Sequence, residues 1–449
     1  MRGWTSTRLG VALVVAGVLA GSLAGPVSAA TTERWVDDDS SPGDGPAACD
    51  TAAFSSIQAA IDASNDWDHV NVCPGYYEEQ LTLDVRGILV QSVRLRKAHI
   101  VAPPLMTEVD GVTSLVRMTE WAARLYGFRI DIPAGDVILP PVLPSCSPVD
   151  VAVLALGERN RVRWNVIDAT GDATFSGSCG YAYGIVFTDA VLPSGFGAPY
   201  PIETSRATHN VVRDFKWGGI LVEGARKARV DHNTVRFLHA DDTGCFETAT
   251  VESAVGPQGI CTPSTVAPTD VNSAFPLAFG IGVEDEALAD IQRNTVESNN
   301  LAAPTLGPSI SLWSGIHLRD ADGDSRVRGN TVSGTFTGVT VDSGTVTISP
   351  TAATAGPEIA GNTASNSFAG FEIEQDASHV HHNRAFDNVF GITVLSSDND
   401  VHDNDFRGND FIDCGDLTLG TGTAGTANLW TDNLGNTSAP VGLCTADPV

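Results

Sequence analysis

Gly184-Ile-Val-Phe, Gly219-Ile-Leu-Val, Gly280-Ile-Gly-Val, Gly315-Ile-His-Leu, Gly338-Val-Thr-Val, Gly370-Phe-Glu-Ile and Gly391-Ile-Thr-Val are seven copies of one phrase. A second phrase, built on asparagine, runs between them: Asn210-Val-Val, Asn233-Thr-Val, Asn294-Thr-Val, Asn330-Thr-Val, Asn362-Thr-Ala, Asn383-Arg-Ala and Asn404-Asp-Phe. Asn362, Asn383 and Asn404 are 21 residues apart, as are Gly370 and Gly391. A unit of that length holds two or three short strands and cannot bury its apolar side alone. It must stack on its neighbours, which predicts an all-β solenoid of parallel coils, a parallel β-helix.

Inside each glycine phrase the residues one and three places after the glycine are Ile, Leu, Phe or Val. The two-residue strand period sends these into the core and their neighbours outward. The glycines are expected where a coil turns tightly into its next strand. The asparagines are expected to stack coil on coil, about 4.8 Å apart, as a ladder of buried amides.

Outside the repeats, Phe54-Ser-Ser-Ile57-Gln-Ala-Ala-Ile61-Asp-Ala-Ser64 carries apolar residues at helical spacing. A helix there would close the open end of the solenoid, where strand edges would otherwise be bare. Val70-Asn-Val-Cys-Pro-Gly75-Tyr-Tyr-Glu-Glu79 follows as two strands about a Pro-Gly turn. Together, Phe-x-x-Ile-Gln-Ala-Ala-Ile-Asp and Val-x-Val-x-Pro-Gly-x-Tyr-x-Glu resemble the start of the pectin-lyase-like superfamily, and the later phrases look like generic parallel β-helix repeats, as in NosD-type proteins. The resemblance implies a right-handed parallel β-helix with a short N-terminal capping helix. It implies no single activity, because that fold serves lyases, hydrolases, esterases, epimerases and non-enzymes.

Arg2 and Arg8, the apolar Leu9 to Leu23 and the small Ser28-Ala-Ala30 read as a secretory signal over residues 1–30. The remainder, 31–449, reads as one domain: an N-terminal cap over 31–69, coils over 70–413 and a C-terminal cap over 414–449. No other apolar run is long enough to span a membrane. The protein is expected to be secreted and monomeric. Eight cysteines then favour disulfides, in the local order Cys49–Cys73, Cys146–Cys179, Cys245–Cys261 and Cys414–Cys444. The net charge of −28 excludes nucleic acid as a partner and repels acidic polymers, unless a local basic patch intervenes.

Aligning the glycine phrases gives two outward stripes. Val186, Leu221, Gly282, His317, Thr340, Glu372 and Thr393 stand two places after the glycine. Thr188, Glu223, Glu284, Arg319, Asp342, Glu374 and Leu395 stand four places after it. The long intervals Asn165 to Gly184, Asn233 to Gly280 and Asn294 to Gly315 all precede this face and would wall a groove suited to a polysaccharide chain. Trp217, Trp313 and Phe215 could stack sugars at its edge, with Glu223 as a further contact. For a uronan lyase or epimerase, His317 could take the C5 proton and Arg319 neutralise the carboxylate. For a glycoside hydrolase, two of Glu284, Asp342, Glu372 and Glu374 would serve. Glu284, Asp342 and Asp320 offer oxygen ligands for Ca²⁺, and no other cofactor is implied. His379, His381, His382 and His402 form a cluster suited to copper or zinc, which keeps open a metal-handling role. The motif sets of polygalacturonases, pectin esterases and alginate epimerases are missing, so a non-catalytic glycan-binding or surface protein is the alternative to an enzyme.

Overall fold

The computed structural model describes residues 31–39, 45–103, 105–109, 112–131, 150–168, 183–188, 204–215, 218–224, 227–237, 279–284, 287–298, 314–343 and 356–446. The expected signal segment, Cys146, Cys179, Cys245, Cys261, Trp217 and Trp313 lie outside these residues.

Each coil lends one short strand to each of three sheets whose ladders are parallel throughout, apart from the short Glu108–Val109 strand that pairs antiparallel at an edge. The first sheet has 13 strands, from Glu33–Val36 to Leu429–Thr431. The second has 10, from Gly75–Glu78 to Arg384–Phe386. The third has 13 and holds the glycine phrases, each in a strand such as Ser314–Arg319 or Thr337–Asp342. The inward residues of those phrases, among them Ile220, Ile281, Leu318, Val341 and Phe371, are fully buried in one continuous core. The architecture is a right-handed parallel β-helix.

The asparagine ladder forms as a chain of complete amide contacts. From Asn165 through Asn210, Asn233, Asn294, Asn330, Asn362, Asn383 and Asn404 to Asn433, the backbone N–H and Nδ2 of each donate to Oδ1 of the next at 2.8–3.2 Å. The other Nδ2 proton goes back to a strand carbonyl of the previous coil, as from Asn330 to Ile291 at 3.0 Å. Every buried polar atom of these amides is thereby satisfied, which removes the desolvation penalty of 1–3 kcal/mol or so per group.

The ladder explains a feature that the sequence reading missed. The residue before each of these asparagines (Trp164, His209, His232, Arg293, Gly329, Gly361, His382, Asp403 and Asp432) has φ between 51° and 63°. Seven of the nine are not glycine, a conformation costing about 1–2 kcal/mol each. The amide bonds of the following asparagine hold the turn in place.

The glycines, by contrast, are not turn residues. They sit inside strands without positive φ, and close approach is what demands them. A Cβ on Gly219 would lie 2.7 Å from the Gly280 carbonyl, and one on Gly280 would lie 2.6 Å from that of Gly315.

The expected helix forms over Ile57–Asp62 with Ile57, Ala60 and Ile61 fully buried. The Ser56 hydroxyl accepts from Ala59 N–H, and the Glu79 carboxylate accepts from Ile57 and Gln58 N–H at 2.8 and 3.0 Å. Tyr77 is buried and donates its hydroxyl to the Cys73 carbonyl. The Gly-x-Tyr-x-Glu element is therefore structural. Disulfides Cys49–Cys73 and Cys414–Cys444 pin the two ends. No helix among the described residues is long and apolar enough to cross a membrane.

Candidate functional site

The outer face of the third sheet carries three stripes in strict register. The first runs through Leu154, Val186, Leu221, Gly282, His317, Thr340, Glu372 and Thr393. Beside it, Glu223 pairs with Glu284, Glu284 with Arg319, and Arg319 with Asp342. The third, which the sequence alignment overlooked, is the residue just before each glycine: Tyr183, Gly218, Phe279, Ser314, Thr337, Ala369 and Phe390. It was legible as a column of residues in phase with the other two.

Along this face the chemistry changes. In the N-terminal coils Val112, Val151, Leu154, Val186, Leu221 and Phe279 form an apolar cluster separate from the core. In the next coils polar groups take over. His317 is 1 % exposed and its Nε2 lies 2.9 Å from Asp342 Oδ2. The Phe279 ring lies 6.4 Å from the imidazole, in space left by Gly282, where a Cβ would strike that ring. The Nδ1 of His317 is buried without a hydrogen-bond partner. Ser314 and Thr340 share a hydroxyl hydrogen bond of 2.9 Å on the same patch.

Glu372 lies one coil beyond Thr340, with the Thr337 hydroxyl 3.4 Å from its carboxylate. Burial holds the Glu372 carboxyl above the ordinary range, and the charge of Asp342 adds to this, while Thr337 and His317 pull it back. Glu374 is raised as well, first by burial and then by Glu372 and Asp342. Burial also raises the Tyr183 phenol, helped by Glu284 and Glu223.

Of the residues singled out from the sequence, the structure gathers His317, Asp342, Glu372 and Glu374. Arg319 and Glu284 stand beside this group, and Glu223 lies one coil further off. Arg319 makes no hydrogen bond or ion pair among the described residues, although Glu284 and Asp342 stand on the coils to either side. Phe215 is a correction: it is buried in the core and cannot stack at a groove edge. A different aromatic row was missed. Phe336, Phe368, Phe390 and Phe411 follow one another at 4.7, 5.2 and 5.6 Å on successive coils, and Phe411 is 64 % exposed. Their positions relative to the glycines drift by a residue, which hid the row from a fixed-offset alignment.

Among the described residues the only acidic trio whose oxygens converge is Asp37, Asp38 and Asp39, far along the chain from Glu284, Asp320 and Asp342. In the histidine cluster, His381 stacks on His402 at 5.0 Å, and His402 Nδ1 lies 2.9 Å from Asp403.

Residues 265–411 match the family model described as a right handed beta helix region. The match agrees with the parallel coils that the structure shows. Solved structures similar to the chain include a mannuronic acid specific polysaccharide family 6 lyase from human gut microbiota, 11 % identical, covering 90 % of this chain and 83 % of that one, TM-score 0.49. A GH136 lacto-N-biosidase from Eubacterium ramulus is 11 % identical over 83 % and 68 % of the two chains, TM-score 0.47. The Dettilon tailspike protein is 13 % identical over 85 % and 63 %, TM-score 0.40. No curated protein matches the sequence.

Proposed function

We propose that the protein is an exported polysaccharide-active enzyme whose site is the outer face of the third sheet, and that it cleaves glycosidic bonds with a carboxyl pair. The observation that carries this is the pairing of Asp342, hydrogen-bonded to the buried His317, with Glu372, whose carboxyl is held toward its protonated form. Two neighbouring carboxyl groups with divergent environments divide the work of acid and base or nucleophile. Glu372 donates the proton to the leaving oxygen. Asp342 acts on the opposite side of the bond. His317 is too buried to touch substrate and acts as a positioning residue that fixes Asp342. The phenylalanine row offers sugar-stacking surface on the same coils.

A lyase is the second reading, favoured by the guanidinium of Arg319, which has no ion-pair partner among the described residues to compete with a uronate carboxylate. The test is a panel of neutral and acidic polysaccharides, with and without Ca²⁺, read for new reducing ends and for the ultraviolet absorbance of unsaturated products. We expect reducing ends alone, and a loss of about 100-fold or more in Asp342→Asn and Glu372→Gln proteins that remain folded. Unsaturated products that vanish in Arg319→Ala would establish the lyase instead. Silence across the panel would leave a glycan-binding protein.

A further inference from the structure

The first sheet faces away from this chemistry, and its outer surface divides into two halves. One outward position reads, coil by coil, Leu89, Arg124, Arg161, Arg206, Arg229, Asp290, Arg326, Glu358, His379 and Asp400. From Asp290 to Glu358 the charges alternate in sign, as cross-strand pairs ordinarily do. There Glu358 lies 3.7 Å from Arg326 and close to Arg328. Before Asp290 the pattern breaks, and four arginines stand on successive coils with no acid between them.

This happens in a chain with 26 basic residues against 54 acidic ones. Like charges on adjacent strands destabilise a sheet, so nothing in the fold calls for the run. Of the four, only Arg229 has an ion-pair partner among the described residues, Asp231 at 3.0 Å. Arg124 donates to the Gly87 carbonyl, while Arg161 and Arg206 are exposed and unpaired. Arg163 flanks the run on the Arg161 strand. On the margin, Trp164, His209 and His232 stack at 4.3 and 4.9 Å, with Arg163 over Trp164 at 5.9 Å.

We propose that the Arg124–Arg161–Arg206–Arg229 ladder is a binding face for a linear acidic polysaccharide, distinct from the third-sheet site. The coil spacing of about 4.8 Å sets one guanidinium per step along the axis, which suits a polymer carrying one carboxylate on each ring. A single-stranded nucleic acid also carries regular charge but needs aromatic faces for its bases. The rings of Trp164, His209 and His232 already cover one another, and none is splayed to receive a base. The proposal stands whether or not the third-sheet face is catalytic.

Affinity electrophoresis of the full chain in gels containing polygalacturonate, uncharged dextran or poly-dT, over a range of salt, tests it. Polygalacturonate should retard the protein, the retardation should fall with salt, and dextran should leave mobility unchanged. Arg161→Gln/Arg206→Gln should weaken retention roughly tenfold, since two charge contacts are lost. Arg384→Gln, on the second sheet, should not. Melting curves check that the double variant folds. If it fails to fold, Arg206→Gln alone serves, with a proportionate loss. No retardation at low salt, retention unaltered by these changes, or tighter retention by poly-dT would each overturn the proposal.

Discussion

The outer faces of the third and first sheets are built on the same coils and the same asparagine ladder, yet they carry opposite chemistry. On the third, carboxyl groups and an imidazole are half or wholly buried beside an apolar cluster. On the first, Arg161 and Arg206 stand exposed between the half-buried Arg124 and Arg229. The inward residues of both sheets are much alike, being mostly Val, Ile, Leu and Ala. In a solenoid, then, the interior fixes the coil and leaves each outward position free to vary, so departures from plain cross-strand pairing are where function is to be sought.

The comparison can be broken most forcefully through what the two faces share. Asn330→Ala removes an acceptor for Asn294 N–H and Nδ2 and two donor contacts of its own. We expect a loss of about 3 kcal/mol or more in denaturant unfolding, with glycan turnover and polyanion retention declining together. Loss of one face alone would show that the coils are less coupled than the continuous ladder implies.

A smaller effect, confined to the third sheet, comes from Glu372. Its carboxyl is raised in the folded state, so the folded protein binds that proton more tightly than the unfolded chain does. The corresponding stability is present at acid pH and is lost as pH rises through the raised value. Glu372→Gln should therefore flatten the fall in melting temperature between weakly acid and neutral pH. Under the proposed hydrolase reading, the alkaline limb of the rate profile should belong to the same group. A melting profile identical to that of the parent would remove Glu372 from the pH response.

The smallest effect belongs to the first sheet. Arg161→Gln relieves repulsion with Arg124 and Arg206 and should raise stability by about 0.2–1 kcal/mol at low salt, with the gain shrinking as salt is added. A loss of stability would mean that the ladder is held by contacts rather than merely tolerated.

The fold was legible because it is periodic. The Gly-Ile-x-Val and Asn-Thr-Val phrases give strand, register and interior from their spacing, and the outward stripes through His317 and Asp342 followed from the same alignment. The missed parts break that period. The turn residues before the asparagines share a backbone conformation and no side-chain type, so Trp164, Arg293 and Asp432 gave no common signal. The phenylalanine row shifts by a residue from coil to coil. Burial was likewise invisible: alternation puts His317 outside the core but does not say that Phe279 lies against it. The arginine run sat at a position defined by a sheet with no glycine phrase to align on. The role of the strand glycines was misread because close approach and tight turning make the same demand on a sequence.

One consequence of the amide ladder concerns how the chain is made. Each asparagine gives its backbone proton and one amide proton to the asparagine oxygen of the coil that comes after it in sequence, and offers its own oxygen to the coil before. A half-built stack therefore always ends, at its growing edge, in unused donors, and only the next asparagine to arrive carries the matching acceptor. The ladder has a direction, and it is the direction in which a polypeptide is synthesised. Each completed coil is a template for the one still to emerge, so the register is copied forward coil by coil.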